Sequence, residues 1–203
     1  MICKFLSVAI AAIAISSAST ANAAVDIHIT GSTWGVWITG LFSAVDNPDG
    51  STHYAYADGG SGVPMDFMMT LPDGTPIDGA DLNMRMISTD IVGDVGAPEL
   101  GLTNWSLWVG TSNLSLHIIW NTSASPLLLA NLGSSGQDGV DYAAMGLNET
   151  LNWTLERPGV PVETFSTNFE SFLFTAPVVP EPGSVALLGI GLALARVTAV
   201  RRR

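Results

Sequence analysis

Of 203 residues, 47% are hydrophobic and only 12% charged, the formal net charge is −11, and there are 21 glycines, 11 prolines and one cysteine. Those figures exclude a charge-rich disordered chain, a disulfide scaffold and a nucleic-acid binder. Mean hydropathy is +0.37, but much of the apolar excess sits in two short terminal segments that bracket one domain's worth of soluble chain.

Lys4, the only lysine, precedes an apolar run over residues 5–15, long enough for a secretory signal and short for a spanning helix. Ala21-Asn22-Ala23 then places small side chains at the two positions a signal peptidase reads. This predicts a signal peptide over residues 1–23, cleaved before Ala24. Cys3 falls inside it, so the mature chain would hold no thiol, which excludes cysteine nucleophiles, thiolate metal sites and redox switching.

Residues 24–175 read as an exported domain built of strands. Val25, Ile27 and Ile29 alternate with polar neighbours, as do Leu82, Met84 and Met86, then Leu114, Leu116, Ile118 and Trp120, and finally Leu151, Trp153 and Leu155. Period two places one face inward and one outward, the mark of half-buried antiparallel strands. Further strands are predicted over residues 33–42, 52–57, 65–71, 105–109 and 165–175. Asp49-Gly50, Asp58-Gly59, Asp73-Gly74 and Asp138-Gly139 supply the positive φ that tight connections between them require. Residues 127–132 and 140–147 are ambiguous between strand and short helix. The fold class expected is all-β, an antiparallel, jelly-roll-like β-sandwich, since two facing sheets bury both apolar faces.

No metal or nucleophile signature stands out in this domain. His28, His53 and His117 lack the spacing of a zincin helix, and Gly59-Gly60-Ser61-Gly62-Val63 misses the nucleophile-elbow pattern at its last position. Asp90 with Asp94, and Asp78 with Asp81, are the carboxylate pairs a glycan hydrolase would need, though both look like turns. Asp73, Asp78 and Asp81 form the candidate set for a structural calcium, the one cofactor considered. Trp34, Trp105, Trp120 and Trp153 share the register of their strands' apolar residues and belong to the core. Trp37 and Trp108 fall in the opposite register; with Tyr54 and Tyr56 they form the candidate platform for stacking on sugar rings. Asn-x-Ser/Thr triplets occur at Asn104, Asn113, Asn121, Asn148 and Asn152. All 18 acidic residues lie between Asp26 and Glu181, where Arg85 and Arg157 are the only cations, so this stretch carries sixteen net negative charges that repel nucleic acid and anionic lipid.

Residues 176–182 form a linker ending in Pro180-Glu181-Pro182, rigid because proline fixes φ. An apolar, glycine- and leucine-rich run follows, interrupted by Arg196 and closed by Arg201-Arg202-Arg203. As a helix over residues 183–200 it covers ~27 Å, close to a ~30 Å hydrocarbon core. It is therefore predicted to span the membrane, with Arg196 snorkelling to the inner interface and the terminal arginines holding the cytoplasmic side. Pro180-Glu181-Pro182, the short helix and the arginine cluster together resemble the PEP-CTERM sorting domain, over about 25 residues. Arg196 departs from the usual pattern, in which the basic residues gather at the end.

That resemblance implies processing by an exosortase near the triplet, after signal peptidase has acted at the other end, and in that family an association with exopolysaccharide. The function expected is that of an exported surface or matrix protein, transiently anchored in the inner membrane through residues 183–203, with a non-catalytic ectodomain. A carbohydrate-binding module and a carboxylate-dependent glycan hydrolase are the alternatives.

Overall fold

The computed structural model describes residues 21–58, 65–82, 84–134 and 139–177. They form eleven strands, β1 (Ala21–Thr30), β2 (Trp34–Asp46), β3 (Thr52–Asp58), β4 (Met65–Thr70), β5 (Pro76–Asp78), β6 (Met84–Val92), β7 (Glu99–Gly110), β8 (Ser115–Asn121), β9 (Leu127–Ser134), β10 (Gly139–Glu156) and β11 (Glu163–Pro177), with one 3-10 turn at Gly79–Asp81. Every pairing between them is antiparallel. The two ambiguous segments, 127–132 and 140–147, lie in β9 and β10.

The all-β class holds, but the architecture is a closed barrel rather than a sandwich. Neighbours run β1-β11-β10-β8-β7-β6-β3-β2, and β2 pairs again with β1, closing an eight-stranded ring. A sandwich and a barrel present the same inside–outside alternation along each strand; they differ in whether the first and last strands find each other. Here β1 bonds β11 from Asp26↔Thr175 to Thr30↔Ser171, and bonds β2 along its whole length. Long, twisted strands favour this closure, which pairs Asp26–Thr30 of β1 with Ser171–Thr175 of β11.

Two segments complete the wall where single strands fall short. β2 pairs with β3 over its last residues and with β4 over its first, Trp34↔Met69 to Ile38↔Met65. On the other side β9 fills the space between β7 and β10 at the end where β8 is absent. A bulge between Met145 and Glu149 interrupts the β10–β11 ladder, and Gly146 sits there at φ +68°.

Aromatic side chains fill the interior. Trp34 stacks on Trp105 with ring centroids 6.1 Å apart and meets the edge of Trp153 at 5.1 Å. Phe169 bridges Trp105 and Trp120 at 5.7 and 5.6 Å. Three of the four indole N–H groups find acceptors: Trp34 Nε1 donates to Asn168 O, Trp153 Nε1 to Thr167 Oγ1 and Trp120 Nε1 to Glu149 Oε2. Those bonds fix ring orientations that area burial alone leaves free.

The register also orders the barrel end to end. Gly139↔Pro177 and Asp26↔Thr175 put the start of β1 and the end of β11 side by side, together with the β2–β3 and β6–β7 connections. The β1–β2, β4–β5, β7–β8 and β10–β11 connections occupy the opposite end. A chain entering at β1 and leaving after β11 therefore does both at one end of the barrel.

Candidate functional site

Outward-facing residues line up across β1, β2, β4 and β5. His28 lies opposite Trp37, Trp37 opposite Asp66, Gly35 opposite Met68, and Met68 opposite Asp78. The Trp37 indole stacks on the His28 imidazole at 5.0 Å and 20°, yet 52% of the tryptophan remains exposed. One face of the indole is thus backed by protein and the rest is left to solvent. Gly35 contributes no side chain beside it: a Cβ there would meet nothing nearer than Ile29 O at 3.8 Å.

The far wall is the Gly79–Asp81 turn. Asp78 Oδ1 accepts from Ala80 N at 2.9 Å and caps the turn. Gly79 lies so close to β4 that a Cβ would stand 3.0 Å from Met65 O and 3.2 Å from Phe67 N, so glycine is what lets the turn close on the strand. Arg85 reaches the same region and donates from Nη1 to Met65 O at 2.5 Å. Together these elements enclose a groove of about 1150 Å³. Asp66 and Asp78 are diagonal neighbours across β4 and β5, roughly 7–8 Å apart at Cα, and both are exposed. A half-exposed indole flanked by hydrogen-bond acceptors is chemistry suited to a ring with one apolar face and a polar rim.

The other aromatics of the predicted platform are elsewhere. Tyr54 and Tyr56 do not join Trp37: their rings point into the barrel, Tyr54 against Phe174 at 5.3 Å and Tyr56 against Phe42 at 5.2 Å, and they are 9% and 6% exposed. Burial, and secondarily the charge of Asp46, pushes the Tyr54 phenol above its ordinary value, so it stays neutral. Trp108 does face outward, but from β7 between Met86 and His117, away from the groove. Trp34, Trp105, Trp120 and Trp153 are core, as expected.

The described strands end at Pro177, directly before the segment that holds Pro180, Glu181, Pro182, Arg196, Arg201, Arg202 and Arg203. Residues 178–203 match the family described as PEP-CTERM protein-sorting motif. The chain carries a PEP-CTERM sorting signal. No curated protein and no solved structure matches it.

The PEP-CTERM residues themselves lie outside the described residues, as does the predicted signal segment up to residue 20. Among the described residues no helix is long and apolar enough to cross a membrane. The predicted cleavage residues Ala21, Ala23 and Ala24 lie in β1, opposite Ala44, Phe42 and Leu41, and Ala23 is buried.

Two of the three candidate calcium aspartates, Asp73 and Asp78, serve turns. Asp73 Oδ1 accepts from Thr75 N at 2.9 Å and its Oδ2 faces Arg157 at 3.6 Å, while Asp78 caps Ala80. Among the described residues no three His, Cys, Asp or Glu side chains gather as a metal site would require. Hydrogen bonds from Thr75, backbone first, hold the Asp73 carboxyl below its ordinary 3.8. Ser51, through its hydroxyl first and then its backbone N–H, does the same for Asp49. Carboxyls held low in the folded state stabilise it fully above their unfolded value and lose that contribution as pH falls through the folded value. Asp49→Asn with Asp73→Asn is expected to flatten the fall in Tm below about pH 4, followed by circular dichroism.

A polar cluster that the sequence did not reveal lies at the end where β1 begins. Asp90 faces His53 Nδ1 at 2.5 Å through Oδ1 and accepts from Asn104 Nδ2 at 3.1 Å through Oδ2, and Asn47 links it to Ser51. It pins the β2–β3 connection to β6 and β7. The Ser51 hydroxyl donates to Asp49 Oδ1 at 2.7 Å and not to His53, so the cluster has no serine–histidine contact of the kind nucleophilic hydrolysis uses. His53 and Asp90 are 37 residues apart, and only the register His53↔Asp90 joins them.

Proposed function

We propose that this protein is exported, sorted to the cell surface through its PEP-CTERM motif by an exosortase, and displays a non-catalytic barrel there. The match over residues 178–203, beginning immediately after the last strand, carries the reading. A PEP-CTERM motif implies export, a membrane-associated sorting signal and an exosortase as processing enzyme. The predicted signal over residues 1–23 supplies the export step. β1 begins where β11 ends, at one end of the barrel, and the Trp37 groove lies toward the other.

Co-expression with and without an exosortase tests the sorting step. With the enzyme, the intact chain is expected to lose mass at its C-terminus and leave the membrane fraction. With Pro180, Glu181 and Pro182 all changed to alanine it is expected to keep both its full mass and its membrane retention. Identical mass and retention in all arms would overturn processing.

The groove favours a second reading for the displayed domain: saccharide binding, with Trp37 as the stacking surface. This supports a polysaccharide partner and no reaction. Hydrolysis of a glycoside needs one carboxyl held protonated in an apolar enclosure, whereas Asp66 and Asp78 are open to water, and one oxygen of Asp78, Oδ1, caps its turn. Asp90, the best-enclosed carboxylate of the predicted pairs, is occupied by His53 and Asn104.

A further inference from the structure

We infer that the Trp37 groove selects amino sugars whose nitrogen is free and protonated, such as the units of a de-N-acetylated hexosamine polymer. The inference rests on the saccharide reading above and narrows its ligand class by charge. Trp37 offers the exposed face of its indole, and Asp66 stands directly across the β2–β4 ladder from it. Asp78 lies one diagonal step further along the same outer surface, beside Met68. A pyranose stacked on the indole places its ring substituents over these two carboxylates. Hydroxyls satisfy one oxygen each; an ammonium group satisfies them with charge and is also attracted by the indole quadrupole. Uronic acids and sulfated sugars are repelled by the same pair. Arg85 also lines this groove and donates from Nη1 to the carbonyl of Met65.

The field of the domain points the same way. Sixteen net negative charges over the exported stretch draw a polycation toward the protein, and the groove adds the local shape that separates binding from bulk attraction. Gly35 matters to that shape. It lies on the outer face next to Trp37, opposite Met68, and the space above it is open. A ring lying against the indole extends over this position, so a side chain placed there obstructs the ligand without touching the core.

The test measures binding of the full chain in mild detergent to glucosamine hexamer, to its fully N-acetylated form and to a glucose hexamer, by calorimetry. Glucosamine hexamer is expected to bind at least tenfold more tightly than the other two. Trp37→Ala and Gly35→Leu, which leave the net charge unchanged, are expected to lose that binding, and Asp66→Asn to weaken it about tenfold. Asp94→Asn removes the same charge from the β6–β7 connection and is expected to leave it unchanged. Circular dichroism melts confirm that each variant is folded. Equal affinity for all three hexamers, still dependent on Trp37, would overturn the amino-sugar inference and keep the saccharide reading. Glucosamine binding that survives Trp37→Ala and Gly35→Leu would mean bulk charge attraction only and overturn the inference. Failure of every hexamer to bind would overturn the saccharide reading and the inference with it.

Discussion

Trp153→Ala is expected to lower the stability of the barrel by about 3–5 kcal/mol, the range for truncating a large buried aromatic. Trp153 is fully buried, edge-on to Trp34 and stacked on Phe165, and its indole N–H donates to Thr167 Oγ1 at 2.7 Å. Truncation removes all three contacts and leaves the Thr167 hydroxyl without its indole. Because Trp34 also stacks on Trp105, the loss spreads through the cluster, and a double variant with Trp105→Ala is expected to be non-additive. Trp37→Ala on the outer wall should cost less than Trp153→Ala, about 1 kcal/mol, since it gives up one cross-strand stack and a ring already 52% exposed. Denaturant melts of the two single variants make the comparison. Equal losses would mean that the assignment of inner and outer faces is wrong.

That assignment was legible in the sequence because period two is a local property. Trp34, Val36 and Ile38 alternate with Gly35, Trp37 and Thr39, and a reader needs no partner strand to see which set is apolar. Turn positions were legible for the same reason: Asp49-Gly50 and Asp73-Gly74 place glycine at φ +86° and +84°. Closure was not legible, since whether β11 reaches β1 depends on accumulated twist and on pairs such as Ile27↔Phe174, which are 147 residues apart. The N-terminal half of β10 stayed ambiguous in the sequence for a different reason. From Val140 to Leu147 alanine, methionine and glycine break the alternation, and the bulge at Met145–Glu149 shifts the register.

The site divides along the same line. Trp37 announced itself by falling in the wrong register for a core residue. Tyr54 and Tyr56 share one face of β3, and the sequence around them, Thr52-His53-Tyr54-Ala55-Tyr56-Ala57, holds nothing apolar enough to say which face is inner. Only Phe42 and Phe174, brought across by other strands, decide it. Asp66 and Asp78 became partners of Trp37 through the β2–β4 and β4–β5 registers, which no spacing rule encodes. The PEP-CTERM signal is the opposite case: its triplet, apolar run and arginine cluster are contiguous, so the match needs no fold at all.

Removing β1 is expected to unfold the barrel, whereas beginning the chain at Ala24 should leave it nearly intact. A chain that starts at Ala24 keeps Val25, Ile27 and Ile29 in the core and every pair between β1 and β11, from Asp26↔Thr175 to Thr30↔Ser171. It gives up only the pairs of Ala21, Asn22 and Ala23 with Ala44, Ser43 and Phe42. A chain that starts at Gly31 loses all three aliphatic side chains, each contributing about 1.5–3 kcal/mol by burial. It also exposes β2 and β11 as facing edges with unpaired backbone groups. The sum rivals the ~5–15 kcal/mol that holds a typical domain together, so no cooperative transition is expected. Thermal melts and size-exclusion chromatography of the two chains decide it. A monomeric, cooperatively melting protein without β1 would show that the wall does not close through that strand. Ala23 is buried opposite Phe42 once β1 is in place, so the predicted cleavage before Ala24 would have to precede closure.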